Sequence, residues 1–129
     1  MKKILVLSLI VMTLLAACKK DKKETPVSLK GKWNVESTTI KSFENSIIVN
    51  TVVIPGNGAT FNFQDNGTVI ISHDGVIESQ PFTIQSDSNV DIAGDIYEIR
   101  NLTASSVTLF LRDIYAPGEF AEIVTDFKR

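Results

Sequence analysis

The sequence predicts an all-β fold: an antiparallel meander of about eight strands closing into a small barrel. Three observations carry this. No stretch after Pro26 keeps the 3.6-residue apolar period of a helix. Val, Ile, Thr and Phe instead recur in short alternating runs, separated by Gly, Asn, Asp and Pro. No gap between runs is long enough for a crossover connection, so consecutive strands pair as hairpins. Strands with one apolar face must pack sheet on sheet or close on themselves, and a meander closes most simply as an up-and-down barrel. A barrel of about eight strands either holds one small ligand or fills with its own side chains.

The runs fall near residues 31–40, 47–54, 60–64, 68–72, 76–84, 89–93, 96–101, 107–112 and 120–128. In the first, Trp33 and Val35 share a face, which simple alternation continues through Ser37 and Thr39. Asp65-Asn66-Gly67 suits a three-residue hairpin loop with a left-handed glycine. That loop sets Phe63 opposite Val69 and Phe61 opposite Ile71. The same loop at His73-Asp74-Gly75 sets Ile71 opposite Ile77 and gathers five apolar side chains on one face. A two-residue Asp74-Gly75 turn would bring Glu78 there instead and is disfavoured for that reason. A Gly94-Asp95 turn pairs Ile92 with Tyr97 and Val90 with Ile99, with Asp91 opposite Glu98. Ala116-Pro117-Gly118-Glu119 forms the last turn.

The N-terminal segment is of another kind. Lys2 and Lys3 precede an apolar run, Ile4 to Leu15, which ends in Leu15-Ala16-Ala17-Cys18. The run is shorter than the about 20 residues of a membrane-spanning helix. Its basic start, short apolar core and small residues have the organisation of a secretory signal. With a cysteine after the small pair, it resembles a bacterial lipoprotein signal. That resemblance implies cleavage before Cys18 and a lipid on its thiol. The expected organisation is a signal over 1–17, lipidated Cys18 with a tether over 18–27, and a barrel domain over 28–129. The expected location is the bacterial cell envelope, anchored in the outer membrane. Cys18 is the only cysteine, so no disulfide forms within the chain. Lys19, Lys20, Lys22 and Lys23 would each add about 1 kcal/mol of attraction to an anionic membrane surface.

Charge narrows the partners. The whole chain carries −2, but residues 25–129 hold 7 basic and 13 acidic side chains, a formal charge of −6. An acidic domain without a basic cluster does not suit nucleic acid, whose phosphates demand cations.

The start of the domain, Leu29-Lys30-Gly31-Lys32-Trp33, resembles the lipocalin superfamily, where Gly-x-Trp opens the first strand. With the run Phe61 to Val69, the stretch Leu102 to Leu111 and the lipoprotein signal, the chain is similar to small lipocalin-like bacterial lipoproteins of Bacteroidetes type. The resemblance implies that Trp33 plugs the closed end of the barrel. It also implies an arginine stacked on that tryptophan, with Arg112 and Arg129 as candidates.

Motifs for chemistry are sparse. His73 is the sole histidine and sits in a turn, where an exposed polar residue is ordinary. No nucleophile elbow is present, and no Cys–His spacing for a metal. Asp87, Asp91 and Asp95 lack the glycine and terminal glutamate of a calcium loop. The expectation is a non-enzymatic protein without catalytic residues, metal or cofactor. It would bind a small, partly apolar ligand at the barrel end away from Trp33, with Ser37, Thr39, Phe61, Phe63 and Ile71 as the ligand-binding residues. The alternative is a filled barrel that meets an envelope protein through its loops or an edge strand, with residues 47–58 as the contact surface.

Overall fold

The computed structural model describes residues 27–129; Cys18, the signal and most of the tether lie outside the described residues. The described chain forms nine antiparallel strands and no helix. They are β1 (Gly31–Glu44), β2 (Ile47–Pro55), β3 (Thr60–Phe63), β4 (Thr68–His73), β5 (Val76–Ser86), β6 (Asn89–Ile92), β7 (Asp95–Arg100), β8 (Ser106–Ala116) and β9 (Glu119–Lys128). Sequential pairing runs from β3 through β9, β1 pairs β3, and β9 returns to β1. Eight strands thus close a barrel, and β2 is one strand more, which among the described residues pairs with β1 alone.

β2 and β3 follow one another along the same edge of β1. Ser37 faces Pro55 at the end of β2, and Asn34 faces Thr60 at the start of β3. The residues between them, 56–59, loop out, while Gly56 N–H donates to Glu36 O (2.8 Å) and Val35 N–H donates to Ala59 O (2.9 Å). Here glycine is required by space. A Cβ on Gly56 would stand 1.8 Å from the Val35 carbonyl oxygen. Asn57 and Gly58 complete the loop with φ of 48° and 80°.

A second irregularity lies across β1. Toward β9, Val35 pairs Phe127 but Ser37 pairs Asp126, leaving Glu36 as an extra residue. A one-residue bulge exchanges the two faces of everything beyond it. The continuation of the Trp33 face is therefore Thr38, opposite Thr125, and not Ser37 and Thr39. Ser37 instead shares the outer face with Asp126, which accepts a hydrogen bond from Thr108 Oγ1 at 2.6 Å. The bulged Glu36 meets Lys128 Nζ at 2.7 Å, and this hydrogen bond raises the lysine pKa.

The hairpins settle the remaining registers. Phe63 pairs Val69 and Phe61 pairs Ile71, as the Asp65-Asn66-Gly67 loop predicts. The next hairpin departs from expectation: His73 pairs Val76 and Ile71 pairs Glu78. The turn is the two-residue Asp74-Gly75, both at positive φ (49° and 77°), the backbone that best matches strand twist. Turn geometry outweighs the burial of one isoleucine, and Ile77 faces outward, 71 % exposed. The β6–β7 turn is also corrected. It is Ala93-Gly94, with φ of 55° and 97°, so Val90 faces Tyr97, Ile92 faces Asp95 and Asp91 faces Ile96. Asp91 Oδ1 accepts from Gly94 N–H at 2.8 Å and stabilises the turn. This shift is two residues, so the inward set is unchanged.

The core fills the closed end. Trp33, Leu29, Phe63, Val69 and Phe127 are buried, joined by Phe82, Val90, Val107 and Leu109. Phe61 meets Phe127 edge-on at 5.0 Å, and Phe63 meets Phe82 at 5.1 Å, the favoured aromatic arrangement. Trp33 Nε1–H donates to Leu29 O at 2.7 Å, so its one polar atom is satisfied. Arg129 takes the place over the tryptophan, its guanidinium carbon 3.9 Å from the ring centroid. It also donates to the carbonyls of Ser28 and Lys30, tying the last residue to the start of the domain. Arg112 sits elsewhere, 4.9 Å from the Phe120 ring centroid and paired with Glu122. Tyr97 packs against the core, and burial, with Asp95 nearby, raises its pKa.

Candidate functional site

At the end away from Trp33 the barrel opens into a cleft of about 360 Å³. Its floor and walls are inward-facing side chains from neighbouring strands. Val35 and Thr38 come from β1, Phe61 from β3, Ile71 from β4 and Thr125 from β9. The end of β2 and the loop to β3 form one side through Ile54, Pro55, Gly56, Asn57 and Ala59. His73 and Asp74, from the β4–β5 turn, complete the rim.

Each position follows from local structure. The Glu36 bulge turns Thr38 inward, where its hydroxyl lies 3.3 Å from that of Thr125. The close approach of Gly56 to Val35 folds the loop against the opening rather than extending it along the barrel. The Asp74-Gly75 turn holds His73 beside Asp74, with Nδ1 to Oδ2 at 3.2 Å and both side chains largely exposed. The cleft is apolar in its depth, through Val35, Phe61 and Ile71. Its polar atoms are hydroxyls, an amide, an imidazole and a carboxylate. This is the composition of a small-molecule site: mostly apolar walls with a few polar groups to set orientation.

Of the five residues expected to bind ligand, the structure brings Phe61 and Ile71 together in the cleft. Phe63 lies one step deeper, fully packed in the core. Ser37 and Thr39 sit on the outer face of β1, paired with Asp126 and Val124. Thr38, Thr125 and the 54–59 wall were not anticipated. Two signals point to them. The apolar positions of the first strand change parity between Val35 and Ile40, which marks a one-residue bulge. Gly56 and Gly58 interrupt an alternating run, which marks a close backbone approach.

Two other depressions lie outside the barrel. One, near the closed end, is bordered by Lys30, Gln64, Asp65 and Asn66. The other runs between Val27–Leu29 and the side chains of Ile84, Ile99 and Leu102. The first also touches Gly31 and Phe63 at the foot of β1 and β3, but neither depression shares a lining residue with the mouth. Among the described residues no three His, Cys, Asp or Glu side chains gather where they could hold a metal ion. No protein-family model matches the chain, and no curated protein matches it.

Proposed function

We propose that this chain is a lipid-anchored binding module of the bacterial cell envelope, held at the outer membrane through Cys18. It takes a small, partly apolar ligand into the barrel mouth and does no chemistry on it. The family it resembles is that of the small lipocalin-like lipoproteins of Bacteroidetes type. The observation that carries the ligand reading is the 360 Å³ cleft, which falls within the usual size range of small-molecule sites. An apolar portion of the ligand would rest on Phe61, Ile71 and Ile54. A polar portion would meet Asn57, His73 and the Thr38–Thr125 hydroxyls. The stack of Arg129 on Trp33 supports the lipocalin-like reading, and the sequence Leu15-Ala16-Ala17-Cys18 supports the anchor. The net charge of −6 over residues 25–129 argues against a nucleic-acid partner.

The face exchange at Glu36 supplies the test. Thr38→Trp fills the mouth, whereas Ser37→Trp adds the same ring to the outer face. Fluorescence of N-phenylnaphthylamine with the purified protein should rise for the wild type and for Ser37→Trp, and stay low for Thr38→Trp. A wild-type protein that takes up no probe would overturn the ligand reading. The anchor is tested separately by metabolic labelling with a palmitate analogue. Label is expected on the wild type and absent from Cys18→Ser; equal label on both rejects it.

The second reading, an envelope protein as partner, is favoured by the exposure of β2. All nine of its residues are exposed, and six of them are Ile or Val.

A further inference from the structure

We propose that β2 is a self-association edge, through which two copies of this chain pair antiparallel about a two-fold axis at Thr51. β2 bonds to β1 on one side, and among the described residues no strand lies on its other side. Its outer backbone groups are therefore free to pair with another strand. Other strand ends also lack a neighbour on one side among the described residues: β5 before Phe82, where its pairing with β6 begins, and β8 beyond Phe110, where its pairing with β7 ends. These ends are better protected than β2: the free part of β5 is short and carries Glu78. β8 carries Arg112 and Asp113 there, and its pairing with β9 is irregular between Ile114 and Ala116. Charges and irregularities of this kind discourage edge pairing. β2 carries no charge, and no charged residue occurs anywhere from 45 to 64.

The sequence of β2 selects a second copy as the occupant. Ile47-Ile48-Val49-Asn50-Thr51-Val52-Val53-Ile54 is nearly symmetric about Thr51. A two-fold axis perpendicular to the sheet preserves the faces and pairs residues equally distant from Thr51. Val49 then meets Val53, Asn50 meets Val52 and Thr51 meets Thr51 of the other copy; the matched pairing ends there, because β2 has one extra residue between Ile48, opposite Phe43, and Asn50, opposite Ser42, which puts Ile48 and Ile54 on opposite faces. β-branched and threonine pairs of this kind are favourable across strands. The centre of the strand is regular, with Lys41 facing Thr51 on β1; the register shift lies toward Ile47, between Ser42 and Phe43 of β1. Charge points the same way. Two domains of −6 repel wherever their acidic faces meet, and β2 offers them a long contact free of like charge.

This pairing uses the outer edge of β2 and does not depend on ligand in the cleft. Disulfide trapping in the full-length chain tests it. Residues paired across antiparallel strands have Cα atoms about 4.5–5.5 Å apart, within disulfide range. Thr51→Cys should therefore convert most of the chain to a linked dimer under mild oxidation in cell membranes. The parent chain, whose only cysteine is Cys18, sets the background, and Ser79→Cys on β5 is the surface control. Adding Val53→Lys to Thr51→Cys should return the dimer to background with the melting temperature retained, because Val53 is 63 % exposed. Cross-linking of Thr51→Cys no greater than that of Ser79→Cys overturns the proposal. So does a linked product that contains a different protein, or a dimer indifferent to Val53→Lys.

Discussion

At the closed end of the barrel Trp33, Leu29 and Phe127 are no more than 2 % exposed; at the open end Val52, Val53 and Ile54 of β2 are 42 to 63 % exposed. Both groups belong to alternating, β-branched or aromatic runs of similar apolarity. What separates them is closure. Around Trp33 each strand has a neighbour on both sides, and Arg129 covers the end. Beyond the Gly56–Ala59 loop only β2, β1, β9 and β8 continue, as an open sheet. Apolar alternation thus encodes a strand, while burial is decided by whether the hydrogen-bonded circuit closes at that height.

The contrast is broken most severely at the tryptophan. Trp33→Ala removes the largest buried side chain and leaves a cavity, at a cost of about 3–5 kcal/mol. Urea unfolding should show it as a large fall in midpoint; an unchanged midpoint would mean the closed end is not packed on Trp33.

A smaller loss is expected at the junction between the two regions. Gly56→Ala drives a methyl group into the Val35 carbonyl, and the strands must shift, costing about 1–3 kcal/mol. It should also distort the cleft wall and weaken probe binding, which thermal unfolding and fluorescence read separately. Unaltered stability and unaltered binding together would show that the loop can move away freely.

The smallest effect is expected at Ile77. Facing outward opposite Ser72, it should tolerate Ile77→Ser with a change within about 0.5 kcal/mol. In the alternative register, with Ile77 across from Ile71 in the interior, the same change would cost about 2 kcal/mol or more. A loss of that size in thermal unfolding would restore the three-residue turn.

The strands themselves were legible in the sequence because each run alternates and each ends in Gly, Asn, Asp or Pro. All nine appear where the pattern puts them, with β1 extended to Glu44 and β8 to Ala116. The first hairpin was legible too, since Asp65-Asn66-Gly67 supports a loop whose glycine is left-handed (φ 80°). Register failed where two considerations competed. At His73-Asp74-Gly75 the apolar pattern favoured burying Ile77, but the backbone prefers two consecutive left-handed residues in a tight turn. A one-residue error there reversed a face, whereas the two-residue error at Ala93-Gly94 left every inward side chain in place. The candidate site was half legible for the same reason. Phe61 and Ile71 lie beyond no bulge, and alternation puts them on the inward face where the structure has them. Ser37 and Thr39 lie beyond Glu36, and a single inserted residue transfers their position to Thr38.

The arrangement of β2 and β3 has a consequence for how this architecture can vary. The circumference is set by the eight strands from β1 and β3 to β9, and none of its closing hydrogen bonds passes through β2. Trimming or lengthening the β1–β2 hairpin beyond Gly56 therefore changes the height of one wall without changing the number of staves. Segment 45–55 is where insertions and deletions can be absorbed, so the size of the opening can drift while the plug beneath it stays the same.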